Sequence, residues 1–263
     1  MSEQSEITRR LEVALTVTQA AAELIMPHYQ SADLAVESKG DESPVTVADK
    51  GAEKLIRERL FDVFPDDSVL GEEFDDVEGT SGYRWVLDPI DGTKSFIHGV
   101  PLFGTLAGLE YDGRLVAGVC RFPALNEVVY ASLGEGAWWQ RRDQKPVAAR
   151  VSKISDMSQA LFCTTTITRW EQIGRTEAFH NLCIKSKLTR GWGDCYGHIL
   201  VATGRAEVMI DPELSAWDCA ALIPIMVEAG GDFVDWSGKR SMHSGNGLSV
   251  NAALKDEILA ILK

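Results

Sequence analysis

The stretch WVLDPIDGTKSF, residues 85–96, joins an apolar run to two aspartates three positions apart. Trp85-Val86-Leu87 reads as a short strand that stops at Asp88. Pro89 fixes its own φ and biases Asp88 toward an extended conformation, so Asp88 is expected at the carboxyl edge of a sheet. The tight turn that follows brings Asp91 beside Asp88 and aims the Ile90 carbonyl inward. Two like charges this close repel unless a cation lies between them. Three hard oxygen ligands suit Mg²⁺ or Mn²⁺ and not zinc. Gly92 lets the backbone approach a ligand, and the N–H groups of Gly92 and Thr93 are placed to hold a phosphate if a helix turn starts there. The competing reading of the same residues is an ordinary capped Asp-Pro turn.

Other acids join this pair. VLGEEF places Glu72 and Glu73 after a second short apolar run, Val69-Leu70. Adjacent residues on an extended segment point to opposite sides, so at most one of them faces the site; a solvated acidic turn running into Asp75-Asp76 is the alternative. SAWDCAALIP sets Asp218 at a helix start, where Ser215-x-x-Asp218 has the form of a capping box. A cap alone does not explain the bulky Trp217 beside it. Thr46-x-x-Asp49 is likewise cap-like at the front of the second helix. Acids thus follow two strand-like runs, and two more sit at helix N-termini.

The chain has 263 residues, enough for one large or two modest domains with a full core. No apolar run approaches the ~20 residues of a membrane span. The polar, acidic start, Met1 to Glu6, lacks the basic and apolar regions of a secretory signal. Five cysteines without a C-x-x-C favour reduced thiols, mostly buried as small hydrophobes, and a cytoplasmic setting. The net charge of −13 argues against nucleic acid as a partner. It also opposes an anionic substrate, unless bound cations reverse the local field.

Residues 5–29 have the spacing of an amphipathic helix, and a second helix is expected from Thr46 to Phe64, ending at Pro65. The middle is strand-rich: LFGTLAGLE and RLVAGVCRF flank Tyr111-Asp112-Gly113, a hairpin signal. After a strand near Leu161–Cys163 come helical patterns around Trp170–Leu182, then Thr189–Trp192, then a helix near Tyr196–Thr203. A strand at Ala206–Ile210, a helix from about Trp217 to Ala229, strands near Phe233 and Leu248–Val250 and a final helix follow. This is a mixed α/β pattern, read as two subdomains of about 1–145 and 146–263 with a site at their junction.

GEE, DPIDGT and WDCAA, in this order and spacing, resemble the inositol monophosphatase-like family of magnesium-dependent phosphatases, from the first helix to VEAGG at 227–231. DPIDGTKSFIHGVPLFGTLAGLE (88–110) and RGWGDCYGHILVATGRAEVMIDP (190–212) are most similar to its histidinol-phosphatase branch. The departures from the inositol enzymes are Lys94-Ser95 and Gly193-Asp194-Cys195. The resemblance implies the layered αβαβα sandwich of the inositol monophosphatase/fructose-1,6-bisphosphatase type, usually a homodimer. It implies Glu72, Asp88, Asp91 and Asp218 as metal ligands with the Ile90 carbonyl, and two or three Mg²⁺ ions per site, or Mn²⁺. Asp49 and Thr93 would orient a metal-bound water, with Glu72 also in the catalytic set, and Gly92 and Thr93 would hold phosphate. The implied reaction is hydrolysis of histidinol phosphate in histidine biosynthesis, with no nucleic-acid or membrane partner. An inositol-1-monophosphatase or another small-molecule phosphate monoesterase, including one acting on nucleotide 3′-phosphates, is the alternative; a non-catalytic metal-binding regulator is the rival from another class.

Direct in-line attack by metal-activated water, with no phosphoenzyme, is the expected route. A cysteine nucleophile is not expected, no phosphate-cradling C-x5-R run being read in the sequence. Histidinol phosphate carries an amine and an imidazole, so its site needs acceptors near the leaving alcohol. Asp194 and Asp211 are the candidates, against a helix N-cap and an Asp-Pro turn as their respective alternatives. The resemblance implies that the polar loop at 36–45 closes over the metals, where Lys39, Glu42 or Ser43 would meet the site; a polar loop tip with no function is the alternative. His98 reads as structural, Lys185, Lys187 and Arg190 as a basic face or a phosphate aid, and Trp138, Trp139 and Trp192 as core or interface.

Overall fold

The computed structural model describes residues 2–32, 34, 36–38 and 44–263; Lys39, Glu42 and Ser43 lie outside the described residues. The first described elements are α1 (Glu3–Ile25), β1 (Val36–Ser38), β2 (Pro44–Thr46), α2 (Val47–Val63), β3 (Ser68–Gly71), β4 (Tyr83–Asp91) and α3 (Thr93–Ile97). There follow β5 (Gly104–Tyr111), β6 (Arg114–Phe122), β7 (Glu127–Ser132), β8 (Ala137–Arg141), β9 (Val147–Ala148), β10 (Leu161–Thr164), α4 (Ile167–Gln172) and α5 (Thr176–Lys185). The chain ends with β11 (Leu188–Arg190), α6 (Asp194–Ala202), β12 (Val208–Asp211), α7 (Ala216–Ala220), α8 (Leu222–Glu228), β13 (Gly231–Val234), β14 (Gly247–Asn251) and α9 (Lys255–Leu262).

A seven-stranded sheet runs β3-β4-β5-β6-β7-β8-β9 and a five-stranded one β11-β10-β12-β14-β13. Strand alternation sorts the side chains into layers. Trp85, Leu87, Leu109 and Val119 point to α1 and α2, which bury Ile7, Ala14, Val17, Ala21, Ile25, Ala48, Ala52, Ile56 and Leu60 against them at helical spacing. Val86, Leu106 and Cys120 point the other way, into a core shared with α6, α7 and α8. Cys163, Met209 and Phe233 of the second sheet enter that same core. Phe162, Val208 and Ile210 face outward, against Trp170, Leu182, Ile258 and Leu262 of α4, α5 and α9. The order is therefore the layered αβαβα sandwich. Gly108 and Gly118 let the α7–α8 junction lie flat on the first sheet: a Cβ on Gly108 would stand 2.7 Å from the Ala220 Cβ, and one on Gly118 2.8 Å from the Ala221 carbonyl carbon.

The hairpin at Asp112-Gly113 forms with both residues at positive φ, 46° and 76°. Elsewhere the structure departs from the sequence pattern. The helical stretch 170–182 is two helices, α4 and α5, broken at Gly174 (φ 70°). Thr189 and Arg190 lie on β11, which pairs in parallel with β10, so that segment is strand and not helix. Asp194 is the first residue of α6; the N-cap is Gly193, without a side-chain bond. Strand β4 does not leave the sheet at Asp88: it continues to Asp91, with its register against β5 broken between the two aspartates. Among the described residues no helix is long and apolar enough to cross a membrane.

Candidate metal centre and active site

Asp88 continues the alternation of β4, on the same side as Val86, and so faces the layer containing α7. The irregularity after it re-aims Asp91. Asp88, Asp91 and Asp218 each offer a carboxylate oxygen, all within 4.8 Å of one another. Glu72 leaves β3 with its N–H donated to the Leu87 carbonyl at 3.2 Å, which stitches it to β4 one residue before Asp88. It lies close enough to Asp88, Asp49 and Asp218 for its charge to act on all three.

The two capping boxes are present, and each leaves an oxygen for other work. In α7, Asp218 Oδ2 accepts from Ser215 N at 2.6 Å. In α2, Asp49 Oδ2 accepts from Thr46 N at 2.8 Å and from the Thr46 hydroxyl at 2.5 Å. Asp49 Oδ1 is buried with no hydrogen-bond partner, as is Asp88 Oδ1. A buried carboxylate oxygen without a donor is strongly unfavourable. Such an oxygen on Asp88, amid hard acidic ligands, fits a divalent cation; the one on Asp49 fits a water proton. Thr93 donates its hydroxyl to the Ile90 carbonyl at 3.1 Å, and Gly92 precedes α3 at φ 81°.

Burial pushes Asp88 and Asp91 well above the usual carboxylate range; neighbouring acids add to this, Glu72 first for Asp88 and Asp194 first for Asp91. Asp218 is pushed up to about 7, chiefly by burial and against its bond from Ser215. Asp194 is also pushed up to about 7, by burial and then by Asp211. A carboxyl raised in the fold favours the folded state below its unfolded pKa, near 3.8, and loses that contribution as pH rises through the folded value. The cation-free protein is therefore expected to lose stability between pH 5 and pH 8. A divalent cation binds the ionised acids, so its effect on Tm should grow over the same window. At 100 times its Kd a ligand adds ~2.7 kcal/mol, about 5–10 °C in Tm for a chain of this size. Thermal unfolding with and without Mg²⁺ at the two pH values checks this; an equal Mg²⁺ shift at both would contradict it.

Asp194 and Asp211 occupy different positions around the cluster. Asp194 holds φ at 52°, an uncommon conformation for a non-glycine residue. Its N–H donates to Thr165 Oγ1 at 2.8 Å, and its Oδ2 accepts from Ser95 Oγ at 3.4 Å. A methyl group on Gly92 would stand 3.1 Å from that Oδ2, so the carboxyl adjoins the turn after Asp91. The next N–H, of Cys195, donates to Asp91 Oδ2 at 2.5 Å. Asp211 is buried, 3.2 Å from His198 Nε2, while His198 Nδ1 lies 2.8 Å from Ser249 Oγ. This resembles a nucleophilic triad in composition only: Ser249 has no exposed surface to meet a substrate.

The sequence does contain one C-x5-R spacing, Cys163 to Arg169, contrary to the expectation. It is not a phosphate cradle. Cys163 is fully buried, with its thiol pushed up to about 12 by burial, and Arg169 pairs with Glu213 at 2.8 Å. His98 closes the α3 turn through Nδ1 to the Lys94 carbonyl at 2.8 Å. Lys185 pairs with Glu257 at 3.6 Å, and Arg190 donates to the Thr189 carbonyl. Lys187 is exposed. Trp139 donates to Glu127 at 2.6 Å, while Trp138 and Trp192 are exposed at the surface. The sequence marks Ser95 and Cys195 only as departures from the inositol enzymes and Thr165 not at all, because only the fold brings these polar groups to Asp91 and Asp194.

The sequence model described as the inositol monophosphatase family matches residues 6–263. A histidinol-phosphatase of Chlorobaculum parvum is 45% identical over 260 residues, covering 97% of both chains. One from Streptomyces coelicolor is 40% identical, covering 96% of both. The crystal structure of the extragenic suppressor protein suhB from Bartonella henselae superposes with a TM-score of 0.89 at 28% identity, over 97% of this chain and 98% of that one.

Proposed function

The chain belongs to the inositol monophosphatase family, and from that premise we propose that it hydrolyses histidinol phosphate to histidinol and inorganic phosphate with Mg²⁺ as its cation. That it is a phosphoric monoester hydrolase follows from the family and from the histidinol-phosphatases it is similar to. The observation that carries the chemistry is the convergence of Asp88, Asp91 and Asp218 within 4.8 Å.

Glu72, Asp88, Asp91, Asp218 and the Ile90 carbonyl would hold the cations, Mg²⁺ or in its place Mn²⁺. Bound there, divalent cations acidify water, polarise phosphoryl oxygens and stabilise a leaving alkoxide. The chain's own groups do the rest. Asp49, its Oδ2 fixed by Thr46 and its Oδ1 unpartnered, accepts the proton of the attacking water. Thr93, its proton directed to Ile90, keeps its oxygen lone pairs for the same water. The N–H groups of Gly92 and Thr93 hold the phosphate in line. Asp194, beside Gly92, receives the cationic part of the alcohol; Asp211, behind it, adds negative charge and is oriented by His198.

The same reading places the enzyme in histidine biosynthesis, supported by the histidinol-phosphatases it is similar to, and in the cytoplasm, supported by five free cysteines. It also makes the enzyme a homodimer, supported by the edge strand β11 and the exposed Ile167, Ile184, Leu188 and Trp192. The test is kcat/KM, with Mg²⁺, for histidinol phosphate, inositol 1-phosphate and a nucleotide bisphosphate in parallel. Histidinol phosphate should lead, and Asp194→Ala should raise its KM by ~10–150-fold while leaving that of a neutral alcohol phosphate little changed, as loss of a charged hydrogen bond of ~1.5–3 kcal/mol requires. An equal effect on both substrates removes Asp194 from substrate selection.

A further inference from the structure

We propose that Glu53 and Arg57 of α2 are positioning residues that set the Glu72 carboxylate in the metal centre, an inference that rests on the site reading above. Asp49, Glu53 and Arg57 recur every four residues and so share one face of the helix. Glu53 has no exposed surface and Arg57 almost none. Glu53 Oε1 accepts from Arg57 Nε at 2.8 Å, and Oε2 accepts from the Glu73 N–H at 2.8 Å. Arg57 Nη1 donates to the Asp75 carbonyl at 2.9 Å and Nη2 to the Phe74 carbonyl at 3.0 Å. Three consecutive residues, all directly after Glu72, are thereby tied to one helix face.

The preceding residue is constrained as tightly. A Cβ on Gly71 would collide with Glu53 Oε1 and stand 2.7 Å from Arg57 Nη2, so any larger residue there would displace the pair from its present geometry. Glu72 itself is bonded to β4 through Leu87. It therefore sits between a strand pairing on one side and a side-chain clamp on the other.

Electrostatics explains why a clamp is useful there. The segment Glu72-Glu73-Phe74-Asp75-Asp76 carries four acids, and Asp49, Asp88 and Asp218 repel it when no cation is bound. Arg57 offsets part of that repulsion from within the fold. A buried ion pair is favourable only when its remaining donors and acceptors are satisfied, as these are. The helix that supplies Asp49 thus also fixes the distance from Asp49 to Glu72.

Groups that orient metal ligands typically change metal affinity ~10–100-fold when altered. The test measures Mn²⁺ binding alone, by calorimetry, on the cation-free full chain. The variants are Glu72→Gln, Arg57→Lys, Glu53→Gln and the double variant Arg57→Lys/Glu72→Gln. Both clamp variants preserve side-chain volume, and circular dichroism verifies that each is folded. Each should weaken Mn²⁺ binding by about 10-fold or more, and the Arg57→Lys effect should vanish where Glu72 is already Gln, because the clamp acts through it. Affinities within about twofold of the parent in both clamp variants, with Glu72→Gln weakened, overturn the clamp and leave the site reading standing; an Arg57→Lys effect undiminished in the double variant does the same. If Glu72→Gln itself binds Mn²⁺ normally, the site reading falls and the clamp falls with it.

Discussion

Stripping divalent cations from the protein is expected to abolish phosphate release, and adding Mg²⁺ is expected to restore it. The size of the effect follows from what is left behind. Phosphate-monoester hydrolysis is among the slowest uncatalysed reactions, with enzymatic accelerations up to ~10²¹, whereas one positioned acid or base supplies only ~10²–10⁴. Asp49, Thr93 and two backbone N–H groups cannot close that gap. The cation-free pocket also repels its substrate: Glu72, Asp88, Asp91 and Asp218 face an anionic phosphate in a chain of net charge −13. The sandwich should survive the treatment, since its three apolar cores lie between layers and not in the cluster. Chelation followed by dialysis, a phosphate-release assay and a circular dichroism spectrum check this. Full turnover in a protein shown by elemental analysis to be metal-free would sink the mechanism.

Much of the site was legible because its pieces are local. A strand running into Asp-Pro, an acid pair after a second strand, and two S/T-x-x-D boxes all depend on neighbours within four residues. The sequence sets cap against site as alternatives at Asp49 and Asp218, but the two roles are compatible. A carboxylate has two oxygens; the cap fixes Oδ2 of Asp49, and Oδ1 is left over. The capping box orients the group for its other task. What escaped is what depends on distant parts of the chain. The Cys195 N–H meets Asp91 across 104 positions of sequence. The left-handed conformation of Asp194, which turns its carboxyl toward Gly92 and Ser95, has no signature that distinguishes it from a helix cap. Nothing in the sequence marks Glu53 and Arg57 beyond their i,i+4 spacing, and only the approach of β3 and its loop buries them.

Asp91→Asn is expected to lower turnover by at least ~10³ while leaving the fold intact, because it weakens a ligand to catalytic ions worth several kcal/mol. The two halves of that statement come from the two oxygens of the side chain. Oδ2 accepts from the Cys195 N–H at 2.5 Å, and the asparagine carbonyl can take over that bond. The first turn of α6 is then still anchored to the end of β4, so thermal unfolding should change little. Keeping that bond forces the amide NH₂ into the position of Oδ1. The NH₂ group is a donor with no lone pair to offer, placed in a cluster where each acid supplies a ligand oxygen. Burial and then Glu72 hold Asp88 high; removing the Asp91 charge takes away a smaller contribution, so in the cation-free protein Asp88 should titrate somewhat lower than in the parent. Saturating Mg²⁺ should not rescue the rate, since the fault lies in ligand geometry as well as occupancy. Steady-state kinetics over a wide range of Mg²⁺ concentration, paired with a melting curve, distinguishes the outcomes. Near-parent kcat at high Mg²⁺ would remove Asp91 from the metal centre, and a collapsed melting temperature would show that the amide does not take over the Cys195 bond.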